Sequence, residues 1–358
     1  MSSGGISRRL VNLAKALLGW LPGGLGVVTV FACMLFGAVS GSPTATAAAI
    51  GSIMVPALLA EGYSVGFSLA TVASAGVLGC IIPPSAVMIN YASVSNASVG
   101  DLFAGGILPG VVMGVLMSLV CILYGLRHHI PRSKFSLKEV GHAFIHSIGA
   151  LLMPIIILGG IYSGVFTPTE SAAVACVYGF VVGTFCYREL KLKEIYSIGL
   201  SSSASSGMIM FIVSAAGLFG FVMASESIPA AIAEFMLGIS TNKVVFLLLV
   251  NALLLIVGCF LETTAAVLIL GPILCPMLSL YGVDVVHFGL IMVVNLTVGM
   301  LTPPLGVNLF VAASLRKAPV EQVINRYLLA YIVSMLVSLM IITFVPEVTL
   351  ALPNLIVK

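Results

Sequence analysis

The chain has 358 residues, of which 60% are hydrophobic and only 8% charged, and its mean hydropathy is +1.22. A soluble domain carries roughly 25% charged residues, so this composition excludes a water-facing enzyme and a disordered scaffold, and a net charge of +3 is too small for a nucleic-acid groove. What remains is an all-α polytopic membrane protein with length for roughly ten crossings or re-entrant pieces; 37 glycines and 17 prolines indicate that some of its helices are broken.

Residues 1–20 mix Arg8, Arg9 and Lys15 with Ile6, Leu10, Leu13, Leu17 and Leu18. This pattern predicts an amphipathic helix at the membrane surface rather than a cleavable leader. Residues 21–126 form a first repeat. It comprises a helix–break–helix hairpin around Ser40-Gly41-Ser42-Pro43-Thr44, a crossing helix broken at Gly79–Pro84, and a transmembrane helix. Residues 127–240 supply linking spans near 141–162, 168–187 and 198–224. Within them, Thr167-Pro168-Thr169-Glu170 reads as a helix start with Thr167 as N-cap, Pro168 at the first position and Glu170 closing a capping box. That account uses Glu170 without a catalytic role. Residues 241–346 form a second repeat, with a hairpin around Leu261-Glu262-Thr263-Thr264 and a helix broken at Gly299–Pro304; residues 347–358 are a tail.

The two repeats align without gaps at an offset of 220. Gly51, Pro56, Gly62 and Gly79 match Gly271, Pro276, Gly282 and Gly299, and Pro83-Pro84 matches Pro303-Pro304; 13 of the 52 positions in 41–92 equal those in 261–312. The basic residues orient the halves. They cluster at Arg8, Arg9, Lys15; at Arg127, Arg132, Lys134, Lys138; at Arg188, Lys191, Lys193; and at Arg316, Lys317, Arg326. A topology with all four clusters inside places 13 of the 15 basic residues in the cytoplasm, leaving Lys243 and Lys358, and satisfies the positive-inside rule. It requires the repeats to be inverted. Inverted repeats with interrupted helices are the pattern of a secondary transporter with its sites near the membrane midplane.

Each break has a physical reading. A double proline removes N–H donors and frees carbonyls inside the bilayer, which is costly unless something binds them. A dehydrated Na⁺ takes such carbonyl and hydroxyl oxygens. Ser40, Ser42 and Thr44 offer hydroxyls in the first half, and Thr263, Thr264 and Thr302 in the second. The alternative is two packed kinks whose Ser and Thr satisfy their own helices. Glu262 is the one notable intramembrane acid; it either serves a cation site, titrates, or reaches water at the hairpin mouth. Asp101, Glu61 and Glu321 fall in loops. No Lys or Arg lies inside a span of either repeat, so an anion must be met by helix N-termini, hydroxyls and amides. The candidate substrate contacts are Ser42, Thr44, Ser85, Asn90, Thr264 and Asn308. Asn295 either joins them or bridges two helices.

The remaining chemistry is sparse. Cys33, Cys80, Cys121, Cys176, Cys186, Cys259 and Cys275 lie in or beside apolar runs without a CxxC pair and read as packing residues. His142 and His146 share a helix face with no further ligand nearby. No Walker loop, GxSxG or HExxH occurs, so neither an ATP engine nor an enzyme is indicated, and no cofactor is expected.

The strings SGSPTATAAAIGSIMVPAL (40–58), GCIIPPSAVMINYASVSNASVGDLFAGGILPG (79–110), GGIYSGVFTPTESAAVA (159–175) and HFGLIMVVNLTVGMLTPPLGVNLFVA (287–312) resemble the large membrane subunit of tripartite ATP-independent periplasmic (TRAP) transporters. The resemblance implies a multi-pass protein of the bacterial inner membrane. It implies Na⁺-driven import of an organic acid (a C4-dicarboxylate, sialic acid or another sugar acid) by an elevator motion of hairpins and broken helices past a scaffold. It also implies two partners, a small four-helix membrane subunit and a periplasmic substrate-binding protein. Carried over by residue, it implies one Na⁺ site at Ser40, Ser42, Thr44, Gly79, Ile82 and Pro83. A second is implied at Glu262, Thr263, Thr264, Gly299, Thr302 and Pro303. The chain departs from the family pattern at Pro43, and it begins about two helices later than such subunits do, which predicts a truncated start. The competing transport reading is a stand-alone Na⁺-coupled dicarboxylate symporter or anion antiporter of the elevator type.

Overall fold

The computed structural model describes residues 5–131, 134–187, 190 and 192–356, with the side chains of 192, 193 and 224 outside that description. Arg132, Arg188, Lys191 and Lys358, and the side chain of Lys193, therefore fall outside it. The chain is all-α, with no strand among the described residues. Its helices are α1 (Ile6–Leu18), α2 (Gly24–Ser40), α3 (Pro43–Ala60), α4 (Val65–Gly76), α5 (Ala86–Ser95), α6 (Val99–Arg127), α7 (Leu137–Tyr162) and α8 (Pro168–Val181). They continue with α9 (Leu192–Ser225), α10 (Ile228–Ile239), α11 (Lys243–Phe260), α12 (Thr263–Leu274), α13 (Val285–Gly299), α14 (Val307–Ser314), α15 (Arg326–Phe344) and α16 (Glu347–Ile356). Among the described residues, eight helices are long and apolar enough to cross a membrane.

Local chemistry sets the helix ends. Ser64 and Ser98 accept from the backbone N–H groups of Phe67 and Asp101, and Asn325 accepts from Tyr327 and Leu328. The Thr167–Glu170 box forms as its spacing predicts: Thr167 N donates to Glu170 Oε2 at 2.8 Å and Glu170 N to Thr167 Oγ1 at 3.3 Å. The carboxylate is thereby committed to the cap.

Two helices form the centre. Every residue of α4 from Phe67 to Gly76 is buried, and so is every residue of α13 from Val286 to Gly299. These are the segments leading into the two double-proline breaks, and the peptide bonds Pro83-Pro84 and Pro303-Pro304 are both cis. Because lipid is as apolar as Leu, packing and interhelical hydrogen bonds hold such helices, rather than a drive out of water. Tyr331 on α15 shares a 2.8 Å bond with Thr71 on α4. Tyr91 on α5 donates to the Val285 carbonyl at the start of α13 (2.8 Å). Asn295 on α13 donates to Asn251 Oδ1 on α11 at 2.6 Å, and Asn251 donates to Thr343 on α15 at 3.3 Å. Asn295 is thus a bridge between helices.

The ends of the helices sort by charge. Lys15 meets Glu61 at 3.7 Å, joining the end of α1 to the end of α3. Tyr124 near the end of α6 accepts from Ser64 N (3.1 Å), and Asn325 at the start of α15 donates to Gly66 O (3.1 Å). Lys15, Arg127 and Arg326 therefore share one end of the bundle. At the other end Lys243 donates to Gly282 O and Tyr281 to Ser240 O, both at 3.1 Å, beside Asp284, which caps α13. The hairpin α2–α3 has its open side at the first end, and the hairpin α11–α12 at the second.

The outer helices are sparsely packed. Few residues of α7, α8 and α10 are buried, and α9 presents Met208, Phe211, Leu218 and Phe221 outward. On α1 the buried face is Ile6, Leu10, Val11, Leu13 and Ala14, so this amphipathic helix lies against α2 and α7. Ser147 on α7 donates to Arg9 O at 3.0 Å, and the imidazoles of His142 and His146 approach to 3.1 Å. All seven thiols are free; Cys33, Cys80 and Cys121 are buried packing residues, whereas Cys176 and Cys186 face outward.

Candidate functional site

The first hairpin turns at Gly41, whose φ of 62° ends α2 in the left-handed region and directs its N–H to Gly37 O at 2.9 Å. Ser42 then caps α3 and Pro43 takes the first helical position, where its missing N–H costs nothing. Proline here is therefore a helix-starting device. The turn brings oxygens together. Ser40 Oγ and Thr46 Oγ1 lie 2.7 Å apart, Ser40 Oγ lies 3.4 Å from Ser42 O, and Ser42 Oγ lies 3.3 Å from Thr44 Oγ1.

Gly79 packs directly against this tip. A Cβ there would meet Ser42 O at 2.7 Å and Thr46 Cβ at 2.9 Å, with Thr46 Oγ1 closer still. Gly41 in turn abuts Pro84 and Ser85, with Pro84 O 3.0 Å from the position a Cβ would take. Ser85 is buried and caps α5, so the N-termini of α3 and α5 lie side by side. Ser40, Ser42, Thr44, Gly79 and Ser85 lie together here, and Ile82 and Pro83 belong to the same break.

Thr46 is the member that sequence reasoning missed. It is wholly buried between Ser40 and Gly79. The signal available was helical spacing: Thr46 stands four residues after Ser42, on the same side of the first turn of α3.

The second tip is built differently. Glu262 is exposed and caps α12: its carboxylate accepts from Thr264 N (2.8 Å) and Ala265 N (3.2 Å), and Thr264 Oγ1 donates to it at 3.1 Å. Thr263 is buried and its hydroxyl meets Met300 Sδ at 2.9 Å. Thr302, just before Pro303, donates to Val298 O of its own helix at 3.1 Å. Gly299 presses on Gly258, whose Cα would lie 2.5 Å from a Cβ at 299. Glu262 and Thr264 are thus brought together, while Thr263 and Thr302 are bonded elsewhere. Gly271 of α12 packs against the Val94 side chain of α5, so the second hairpin lies against the first half.

Asn308 on α14 is buried and donates to Ala73 O on α4 at 3.1 Å; its Oδ1 has no partner among the described residues. A buried amide oxygen without a partner is a free acceptor for a ligand or water. Asn90 is half-buried on α5, with its backbone carbonyl accepting from Ser93.

Chemically, the site offers hydroxyl, carbonyl and amide oxygens and helix N-termini, with one carboxylate at its second tip. Among the described residues no group of three or more His, Cys, Asp and Glu could hold a metal. Oxygen donors of this kind suit a hard monovalent cation, and uncapped N–H groups suit an anion.

Residues 1–348 match the family model of the tripartite ATP-independent periplasmic transporter, DctM component. The chain is 43% identical over 355 residues to the C4-dicarboxylate TRAP transporter large permease protein DctM of Pseudomonas aeruginosa, covering 99% of this chain and 83% of that protein. It is 46% identical over 351 residues to the isethionate TRAP transporter permease protein DctMQ of Oleidesulfovibrio alaskensis, covering 97% of this chain and 55% of that one. The crystal structure of the YdaH transporter of Alcanivorax borkumensis shares the fold, with a TM-score of 0.62 at 16% identity over 96% of this chain and 82% of that one.

Proposed function

This chain belongs to the DctM family of TRAP transporters, and from that premise we propose that it is the large permease of a Na⁺-driven, binding-protein-dependent importer of an organic acid. The observation that carries the reading is the pair of hairpin tips seated on glycine breaks, opening from opposite ends of the bundle.

The unit is an inverted repeat: residues 21–126 and 241–346 flank the linking helices of 127–240, with α1 at one margin and residues 347–358 at the other. A carboxylate moved through a bilayer without neutralisation would cost many kcal/mol. The N-termini of α3, α5 and α14 supply partial positive charge, and Na⁺ supplies the rest; the N-terminus of α12 is already met by the Glu262 carboxylate. The first Na⁺ is held by Ser40, Ser42, Thr44 and the carbonyls around Gly79, Ile82 and Pro83, with Thr46 completing the set. The second uses Glu262, Thr264 and backbone oxygens at Gly299, Thr302 and Pro303; Thr263 positions the tip through Met300. Ser42, Thr44, Ser85, Asn90, Thr264 and Asn308 face the substrate. Because ion and substrate share the tips, each strengthens the other's binding by the same factor. The hairpins and broken helices then move as a body past α1 and α7–α10, in an elevator stroke.

Support for the substrate class comes from the relatives named for C4-dicarboxylate and isethionate, both organic anions. The deciding experiment is uptake of a labelled C4-dicarboxylate into proteoliposomes holding the permease with its small subunit. Transport is expected only with an inward Na⁺ gradient and the cognate binding protein present. Uptake indifferent to Na⁺ overturns the coupling, and uptake without the binding protein identifies a stand-alone carrier.

A further inference from the structure

A cavity sits between α6 and α15 at the basic end of the bundle. It has a volume of about 270 Å³ and is lined by Val120, Leu123 and Arg127 of α6 and by Arg326 and Ala330 of α15. Its floor is aromatic. Phe67 stacks on Tyr124 at 3.7 Å between centroids, and Tyr124 stacks on His128 at 4.1 Å.

Two arginines, Arg127 and Arg326, line this cavity from two different helices. Arg326 lies over the Tyr327 ring at 4.9 Å and donates to its hydroxyl at 2.9 Å, which fixes its plane. Neither Arg127 nor Arg326 has a carboxylate partner among the described residues; of the acids at this end, Glu61 is engaged by Lys15, and neither Glu139 nor Glu321 pairs with either arginine. Two unneutralised arginines converging on one cavity call for an anion, and their planar donors suit phosphate oxygens.

The apolar surface selects which anion. On α6, Leu119, Leu123 and Arg127 are spaced by four, and Leu119 and Leu123 are exposed. On α15, Arg326, Ala330, Val333 and Val337 follow at helical spacing, and Val333 and Val337 are exposed. The helices run antiparallel here, so each stripe starts at its arginine and runs inward from the basic end. Leu119 lies roughly 12 Å along the axis from Arg127, and Val337 roughly 16 Å from Arg326. Half the hydrocarbon core is about 15 Å deep. A soluble phosphate has no use for such stripes, whereas acyl chains of one leaflet match their length.

We propose that the α6–α15 groove binds one anionic phospholipid. Its phosphodiester lies between Arg127 and Arg326, and its chains lie along Leu119–Leu123 and Ala330–Val333–Val337. Basic pockets between transmembrane helices at the cytoplasmic face hold anionic headgroups by the same physics. The lipid fastens the end of α6 to the start of α15.

The test uses the intact permease in phosphatidylcholine nanodiscs doped with phosphatidylglycerol that bears a photoreactive acyl chain, with crosslinks mapped by mass spectrometry. Labelling is expected within 119–127 and 326–337, and equally dilute photoreactive phosphatidylcholine, which reaches these stripes only as bulk lipid, should label there severalfold less. Arg127→Ala with Arg326→Ala should cut the labelling roughly thirty-fold, and either change alone about fivefold. Leu123→Trp, which leaves both arginines in place and fills the groove, should also abolish it; this variant decides the matter if the double variant fails to fold. Equal labelling by phosphatidylcholine, or labelling unchanged in Leu123→Trp, overturns the proposal. Displacement of the photolipid by soluble glycerol phosphate at equal concentration overturns it too, because the occupant is then a free phosphate.

Discussion

Replacing Gly79 with Ala tests the packing of the first tip on its break. The added Cβ would lie 2.7 Å from Ser42 O and 2.9 Å from Thr46 Cβ. Ordinary contact is at about 3.5 Å, so the tip must retreat by at least roughly 0.8 Å, and further where Thr46 Oγ1 lies closer still. It cannot do so by a side-chain swing, because one obstacle is backbone and the other is a buried Thr whose hydroxyl is bonded to Ser40 at 2.7 Å. Overpacking of this kind costs about 1–3 kcal/mol, and the Ser40–Thr46 bond is lost with it. The control is Gly159→Ala in α7, where nothing lies within 4 Å of the new atom and helix propensity improves by about 0.8–1 kcal/mol. The assay is thermal denaturation of detergent-solubilised protein at one fixed scan rate, since unfolding of such a protein is read as a rate. Gly79→Ala should fall by roughly 2–6 °C, and Gly159→Ala should hold or rise. Stabilisation by Na⁺, expected in the parent, should vanish in Gly79→Ala alone. Equal transitions in parent, Gly79→Ala and Gly159→Ala would refute the close approach of break and tip.

Three further outcomes follow from the same geometry. Glu262→Ala should destabilise by about 1 kcal/mol through loss of the α12 cap, whereas Glu262→Gln keeps an accepting oxygen and should melt near the parent; equal losses would show that charge, not capping, matters. Asn295→Leu should cost up to about 1.7 kcal/mol, and the double change Asn251→Leu with Asn295→Leu should cost less than the two single changes together; strict additivity would remove the Asn251–Asn295 bond as a stabilising contact. Thr264→Val should raise the Na⁺ concentration for half-maximal uptake at unchanged expression, whereas Thr302→Val, which keeps the backbone oxygen and loses only a hydroxyl bonded to Val298 O, should not; unaltered Na⁺ activation in Thr264→Val would dismiss the second ion set.

Reading the sequence located the features that local chemistry controls. Thr167–Glu170 forms its box because cap and partner are three residues apart. Ser42-Pro43 and the double prolines mark the tip and the breaks because proline lacks an N–H wherever it stands. The apolar spans were legible for the same reason, although their edges moved: the span expected near 141–162 begins at Leu137, and the one near 198–224 begins at Leu192. The polar starts of both helices extend beyond the hydrophobic stretch because backbone bonding continues past it.

The sequence by itself determined an all-helical membrane chain, its broken helices and its family, since hydropathy, proline and glycine act within a turn or two of where they occur. Only the tertiary structure decided what those features meet. Thr46 joins Ser40 because Gly79 admits the tip; Asn308 spends its amide on Ala73, 235 positions away; Thr263 turns to Met300 rather than toward Glu262. Arg127 and Arg326 share a cavity because α6 and α15 run antiparallel side by side. Such contacts depend on which helices pack together, and in a bilayer that choice rests on close fit between surfaces distant in the chain.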